Sequence, residues 1–223
     1  MTDGIALDGV VRRYGERLAL DGITVNVAPG QTLGVFGSNG AGKTTLLRVL
    51  ATLLRPHEGT VRVLDADLPG DAWKVRGRIG YLGHEPLLYR DLTAHENLTF
   101  QARLYGVARA RVDEVLAQTG MTRRADDPVR NLSRGMLQRV ATARAVLHDP
   151  PVLLLDEPRA NLDPKAAELL EPLIGRASGR TRVLVTHDVE GGLAESDVVL
   201  GLKRGRQQIA GTATLDELRA LYA

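Results

Sequence analysis

The chain has 223 residues, of which 43% are hydrophobic, 25% charged and 4% aromatic, and its formal net charge is +2. A chain of this length can bury a full hydrophobic core, so we expect one domain over residues 1–223. The absence of cysteine excludes disulfides, thiolate metal sites and cysteine nucleophiles. The weak positive charge and the few aromatic residues argue against nucleic acid as a partner.

Neither the charge pattern nor the hydropathy pattern indicates a membrane segment. Residues 1–11 lack the basic region and long apolar run of a signal peptide. No stretch approaches the roughly 20 apolar residues that a spanning helix needs. We therefore expect a cytoplasmic chain that reaches a membrane only through a partner.

The first half of the chain alternates between strands and helices. Residues 5–12 and 18–27 have the alternating pattern of half-buried antiparallel strands. The apolar run Thr32–Phe36 leads into a glycine-rich loop and then a helix over 43–54, and further strands are predicted at 61–64 and Ile79–Leu82. This order of strand, loop and helix is typical of an α/β fold.

The second half begins with helices and returns to strands. Residues 93–118 have a helical pattern in which Leu98, Ala102 and Tyr105 share one face, and Ser133 is the predicted N-cap of a helix over 134–148. Continuous apolar strands at 152–155 and 182–186 indicate a parallel central sheet covered on both faces. Strands at 198–202 and 207–210 and a helix at 214–222 follow. The prediction is an α/β fold with a helical insertion at about 85–145.

One loop has the full pattern of a nucleotide phosphate-binding loop. It lies between a predicted strand and a predicted helix, as that motif requires, and its small residues let backbone N–H groups surround a phosphate. Lys43 supplies a charge for the β- and γ-phosphates of ATP, and the Thr44 hydroxyl is a predicted Mg²⁺ ligand. The predicted cofactor-binding residues are Gly37, Ser38, Asn39, Gly40, Ala41, Gly42, Lys43, Thr44 and Thr45.

A second chemical motif ends the strand predicted at 152–155. Asp156 and Glu157 follow four apolar residues, which puts both carboxylates at the edge of the sheet where ligands of such folds bind. Downstream of a phosphate-binding loop, Asp156 is a predicted Mg²⁺ ligand and Glu157 the group that orients or deprotonates the attacking water.

The segment 132–138, Leu-Ser-Arg-Gly-Met-Leu-Gln, points to a family. Together with the two motifs above it resembles the ATP-binding-cassette (ABC) signature, whose commonest form is Leu-Ser-Gly-Gly-Gln; Arg134 and Met136 depart from that form. The resemblance implies a P-loop fold with an antiparallel β subdomain and an inserted helical subdomain. It also implies that Ser133 and Gly135 act on the γ-phosphate of a second copy, as part of a homodimer that drives a membrane permease.

Three further segments fit the order of the ABC family, and a fourth position, His84, departs from it. Tyr14 lies where the adenine-stacking aromatic is found, although an ordinary edge-strand tyrosine is the alternative. The segment 161–163 resembles the loop that joins the two nucleotide sites, and His187 matches the histidine that contacts the γ-phosphate. His84 stands where the family has a glutamine near the metal. Its ring either accepts a hydrogen bond from the metal's water, or the residue is an inert surface residue.

The subfamily is predicted from residues 83–86, Gly-His-Glu-Pro, from the signature and from the short chain. These features look like the haem-exporter ATPases of cytochrome c maturation, which work with a separate membrane protein. Drug or polysaccharide exporters share the Arg-Gly-Met signature, often with a longer C-terminal region, and are the alternative. ABC ATPases of translation or DNA repair are a third class, but they usually contain two cassettes or a long coiled coil.

Overall fold

A single ten-stranded sheet runs through the computed structural model, which describes residues 4–222. Within those residues the strands are β1 Ile5–Tyr14, β2 Arg17–Val27, β3 Thr32–Phe36, β4 Glu58–Val63, β5 Ala66–Leu68, β6 Ile79–Leu82, β7 Val152–Asp156, β8 Thr181–Val185, β9 Val198–Lys203 and β10 Arg206–Gly211. The α-helices are α1 Lys43–Leu50, α2 Ala72–Val75, α3 Ala94–Tyr105, α4 Ala110–Gln118, α5 Arg134–Val146, α6 Pro164–Ile174, α7 Val189–Glu195 and α8 Leu215–Ala220.

The sheet has a parallel part and a largely antiparallel part. In the order β5-β4-β1-β2-β10-β9-β3-β8-β7-β6, the strands from β9 to β6 are parallel, whereas β1, β2, β4 and β5 pair antiparallel. The strand β10 joins the two parts, because it pairs antiparallel with β9 and forms one parallel pair with β2. That pair is Arg206 and Asp21, whose side chains also form a 2.8 Å ion pair. The predicted mixed sheet with an antiparallel β subdomain is confirmed.

The central strand β7 contributes to two hydrophobic cores because its side chains alternate between the two faces of the sheet. Val152 and Leu154 pack with α1 and the antiparallel strands, whereas Leu153 and Leu155 pack with α3, α4 and α5. All five residues of β7 are buried, as are those of β3 and β8. Helices on both faces therefore hold the carboxyl ends of these strands in fixed positions.

Several predicted boundaries differ from the structure because of local backbone turns. The helix predicted over 93–118 is two helices, since Gly106 ends α3 in the left-handed conformation, with φ 67°. The helix predicted to reach 54 ends at Leu50, and Thr52 follows with φ 63°. Tyr105 was predicted on the apolar face of α3, but it is 38% exposed and stacks on His148, with 4.0 Å between ring centroids.

The remaining elements lie close to their predicted positions. The strand predicted at 61–64 spans Glu58–Val63 and ends before a turn at Leu64, and the strand predicted at 182–186 is Thr181–Val185. β5 and α2, each with fewer than five residues, were not predicted, and α6 and α7 were expected only as helices flanking the buried strands, without bounds. None of the helices in the described part of the chain combines the length and apolar character of a membrane span.

Candidate functional site

The loop between β3 and α1 needs glycine at two positions for steric reasons. Gly37 has φ 142° and Gly42 has φ 115°, both outside the range that other residues adopt readily. A Cβ atom on Gly37 would lie 2.2 Å from the carbonyl oxygen of Leu202, and one on Gly42 would lie 2.4 Å from that of Ala19. The loop therefore packs its backbone directly against two neighbouring strands, and its conformation is fixed before any ligand binds.

Lys43 is the first residue of α1 and lies in the centre of this loop. Its Nζ donates hydrogen bonds to the carbonyl oxygens of Gly37 at 2.5 Å and Ser38 at 3.1 Å, and the residue is 8% exposed. Burial lowers the pKa of Lys43, and the nearby carboxylates of Glu157 and Asp156 oppose that change. The positive end of α1, which has no side-chain cap, lies at the same place. The loop is thus built to bind an anion.

Asp156 and Thr44 form a small oxygen-rich site beside the loop. Asp156 ends β7 and is buried, and its Oδ2 accepts a hydrogen bond from the Thr44 hydroxyl at 3.2 Å. A carboxylate and a hydroxyl next to a phosphate-binding loop are the donor set expected for Mg²⁺, which takes its other ligands from phosphates and water. In residues 4–222 no group of three or more His, Cys, Asp or Glu side chains could hold a metal ion alone. The residues present fit Mg²⁺ bound together with a nucleotide.

Glu157 has an unusual environment for a carboxylate. Its backbone adopts φ 52° and its N–H donates to the carbonyl oxygen of Val185 at 2.9 Å. Oε1 is buried without a hydrogen-bond partner and lies 3.5 Å from Nε2 of His187, at ion-pair distance. Burial raises the pKa of Glu157, while His187 acts in the opposite direction. A half-buried carboxylate whose pKa is raised is more basic than an exposed one, which suits it to receive a proton from water.

These groups line one open cleft of about 540 Å³ at the carboxyl ends of the parallel strands. Of the residues predicted from the sequence, the cleft is lined by Tyr14, Asn39, Gly40, Ala41, Gly42, Lys43, Thr44, Thr45, His84, Asp156, Glu157 and His187. Gly37 and Ser38 do not line it, but their carbonyl oxygens accept the hydrogen bonds of the Lys43 ammonium group. The structure therefore brings together the predicted phosphate, metal and water groups.

Two residues near the cleft were missed by sequence reasoning. The Arg17 guanidinium lines it and donates to the carbonyl oxygen of Gly40 at 3.3 Å. Its position directly opposite Tyr14 in the β1–β2 hairpin was the available signal. The hydroxyl of Tyr222 accepts a hydrogen bond from the Gly37 N–H at 3.2 Å. Nothing in the sequence pattern connects Tyr222 with Gly37, which lies 185 positions before it.

Ser133 and Gly135 do not line the cleft. The Ser133 hydroxyl caps α5 by accepting a hydrogen bond from Met136 N at 3.3 Å, as predicted for an N-cap. A Cβ atom on Gly135 would lie 2.8 Å from the carbonyl oxygen of Asn161, so the start of α5 contacts the segment predicted to join two nucleotide sites. One turn later, Gln138 Nε2 donates to the carbonyl oxygens of Glu157 at 3.3 Å and Pro158 at 3.0 Å. The signature helix is therefore bonded to the loop that follows Glu157.

His84 lies in the cleft wall as an exposed residue directly after β6. If its ring accepts a hydrogen bond from the metal's water, a glutamine amide oxygen can replace it. We expect the ATPase rate of His84→Gln to stay close to that of the parent, whereas His84→Ala should lower the rate with little change in melting temperature. Parental rates for both variants in a steady-state assay would identify His84 as an inert surface residue.

Comparison with known proteins gives a consistent set of similarities. Residues 20–160 match the family described as ABC transporter. The chain is 41% identical over 222 residues to a daunorubicin resistance ATP-binding protein of Streptomyces coeruleorubidus, covering 97% of this chain and 70% of that protein. It is 37% identical over 213 residues to a Nod factor export ATP-binding protein of Ralstonia nicotianae, covering 93% of this chain and 66% of that protein.

A solved structure extends the similarity to three dimensions. It is a dimeric ATP-binding cassette in a post-hydrolysis state, bound to ADP and phosphate. The match has a TM-score of 0.83 and 29% sequence identity, and it covers 93% of this chain and 98% of that one. The chain thus shares its fold with a cassette that has been captured with the products of ATP hydrolysis.

Proposed function

Because the chain belongs to the ABC transporter family, whose cassettes bind and hydrolyse ATP, we propose that it is the motor subunit of an ABC export complex. One observation carries this proposal. A single cleft collects the phosphate-binding loop, the Thr44–Asp156 pair and the half-buried carboxylate of Glu157 beside His187. Residues 1–223 would act as one ABC domain, with the region of about 85–145 as its helical subdomain.

The proposed mechanism assigns one task to each group in the cleft. Lys43 and the loop N–H groups bind the β- and γ-phosphates of ATP. Thr44 and Asp156 would hold Mg²⁺, which when bound neutralises phosphate charge. Glu157 accepts the proton of the attacking water, and His187, 3.5 Å from Glu157, orients that carboxylate and faces the γ-phosphate. Tyr14 offers its ring to the adenine, and His84 contacts the metal's water.

The proposed working unit is a head-to-tail homodimer that engages an integral membrane permease at the inner face of the membrane. Ser133 and Gly135 lie at a helix N-terminus outside the chain's own cleft. A helix N-terminus favours an anion, and a second copy can supply one as the γ-phosphate of its bound ATP. Two such chains would complete each other's sites, with two nucleotides bound between them.

The dimer is tested by size-exclusion chromatography of a variant that binds ATP without hydrolysing it. Glu157→Gln with Mg-ATP is expected to elute as a dimer, and as a monomer without nucleotide. Adding Ser133→Arg should abolish the dimer while each monomer still binds ATP, because the new side chain would occupy the place of the partner's phosphate.

The matched control for this experiment is Thr93→Arg in the same Glu157→Gln background. Thr93 also caps a helix with its hydroxyl, accepting from Glu96 N at 3.1 Å, but it lies outside the signature. Losing either cap weakens its helix by about 1 kcal/mol. The Thr93→Arg variant should nevertheless dimerise. If the Ser133→Arg variant dimerises, Ser133 has no role in the dimer and serves only as a helix cap.

The cargo is proposed from the relatives. The two relatives reported above are described as drug-resistance and Nod factor export proteins, and they favour an exporter of that kind over the haem exporter that residues 83–86 suggest. The chain spans 70% and 66% of their lengths, so their whole activities do not transfer to it directly. Co-purification with a permease separates a transport motor from an ABC ATPase of translation or repair. A neighbouring reading frame for a cytochrome-maturation membrane protein would instead favour haem export.

A further inference from the structure

Arg159 joins the loop of the catalytic base to two helices. It follows Glu157 by two residues, and its Nη2 pairs with Glu171 of α6 at 2.7 Å while its Nη1 pairs with Glu195 of α7. A guanidinium is a rigid fork that can hold two carboxylates in fixed directions at once. The loop that begins at Glu157 is thereby connected to both helices through one side chain.

The Glu195 carboxylate is itself held from inside the protein. Arg182 of β8 is 1% exposed, and its Nη1 donates to Glu195 Oε2 at 2.9 Å and to the carbonyl oxygen of Ile174 at 3.0 Å. The Arg182 Nε and Nη2 groups bond the Thr32 hydroxyl, so the guanidinium is well satisfied. Glu195 is therefore a fixed anchor that offers its second oxygen, Oε1, to Arg159.

Packing alone does not fix the loop against α7. A cavity of about 210 Å³ lies between them, lined by Glu157, Pro158, Arg159 and Ala160 on one side and Asp188 and Gly192 on the other. This cavity is partly open to solvent, and side chains that face each other across it lack the direct contacts that would hold them in place. The ion pairs of Arg159 bridge this gap.

The bridge connects two segments whose relative position matters for the reaction. α7 begins directly after His187, with Asp188 as its N-cap. The side chains of His187 and Glu157 are 3.5 Å apart, but they belong to separate segments of the chain. A shift of α7 relative to the loop would change that distance.

We propose that Arg159 is a positioning residue that holds the loop carrying Glu157 against the helix that follows His187. This inference rests on the proposed role of Glu157 as the base. Arg159 does not line the cleft; it acts by keeping Glu157 and His187 in register. Exposed ion pairs contribute little to stability, and the Arg159 side chain is 46% exposed. Its removal should therefore affect geometry more than folding.

The test compares steady-state ATPase kinetics and melting temperatures of Arg159→Ala, Arg159→Lys and a matched control, Arg176→Ala. Arg176 is also on the surface, pairs with Asp197 and donates to the backbone carbonyl of Glu195 at 3.3 Å, but it does not bond the loop of Glu157. For Arg159→Ala we expect kcat to fall about tenfold, because small misplacements of catalytic groups slow reactions by up to 100-fold. KM for ATP and the melting temperature should be unchanged.

The two other variants sharpen the result. Arg159→Lys should have an intermediate kcat, since an ammonium group can pair with one carboxylate but cannot fork between two. Arg176→Ala should have the parental kcat. A parental kcat in Arg159→Ala, or an equal loss in Arg176→Ala, would overturn the inference. A loss of kcat in Arg159→Ala that comes with a matching fall in melting temperature would also overturn the inference.

The outcome for Arg159 is distinguishable from the outcome for the proposed function. If Glu157→Gln is inactive and Arg159→Ala has the parental kcat, the positioning inference fails while the assignment of the base stands. If Glu157→Gln keeps the parental rate, the assignment of the base is wrong, and the positioning inference fails with it.

Discussion

Glu157→Gln is expected to lower kcat for ATP hydrolysis by about 10²- to 10⁴-fold, the range that general base catalysis contributes. Glutamine has nearly the shape of glutamate but cannot accept a proton from water at neutral pH. Burial raises the pKa of Glu157 despite the opposing effect of His187, so the carboxylate is a better proton acceptor than an exposed one. ATP binding should be unchanged, because the phosphate contacts come from Lys43 and the loop.

The measurement is single-turnover hydrolysis together with equilibrium binding of ATP. Glu168→Gln is a matched control, since Glu168 is an exposed glutamate on α6 outside the cleft. It should hydrolyse ATP at the parental rate. Hydrolysis by Glu157→Gln at the parental rate would show that another group activates the water.

Lys43→Ala is expected to weaken ATP binding by about 10- to 100-fold. A hydrogen bond to a charged group is worth about 1.5–3 kcal/mol, and each 1.4 kcal/mol is a factor of about ten in affinity. The variant also leaves the carbonyl oxygens of Gly37 and Ser38 without the cation they now hold. The loop would then present hydrogen-bond acceptors, instead of an ammonium group, to the phosphates.

Isothermal titration with ATP measures this loss directly, and Lys165→Ala is the control because Lys165 is an exposed lysine at the start of α6. Its affinity should equal that of the parent. Parental affinity in Lys43→Ala would mean that the loop binds phosphate through its backbone alone, and that the buried ammonium has a structural role.

Local patterns were sufficient to predict the central part of the fold. β3 and β6 have the predicted bounds, since apolar runs flanked by glycine identify buried strands well. The grouping of Lys43, Asp156 and Glu157 was also predictable, because the carboxyl ends of all the parallel strands in one sheet share one edge. In these cases the determinant lies within a few residues of the element it specifies.

Features that depend on tertiary contacts could not be predicted from such patterns. The Tyr222 hydroxyl reaches Gly37 only because α8 packs beside β3, and Arg159 reaches Glu195 only because α7 lies beside the loop. The break at Gly106 was missed because apolar residues continue at helical spacing on both sides of it. These contacts depend on side chains from distant parts of the sequence, and the spacing of apolar residues does not predict them.

The proposed head-to-tail pairing is tested most directly by mixing two variants that each lack one half of the shared site, Lys43→Ala and Ser133→Arg, at an ATP concentration too low for Lys43→Ala to bind it. In a mixed pair, the intact loop of the Ser133→Arg chain faces the intact signature of the Lys43→Ala chain, so one complete site forms. Because neither variant forms a complete site with itself, the dimers held by a shared nucleotide are the mixed ones. Each mixed dimer has one complete site of two, so the ATPase rate of an equimolar mixture should recover to at most about half of the parental rate. A mixture that stays as inactive as its two components, while mixed dimers form, would contradict the sharing of each nucleotide between two chains.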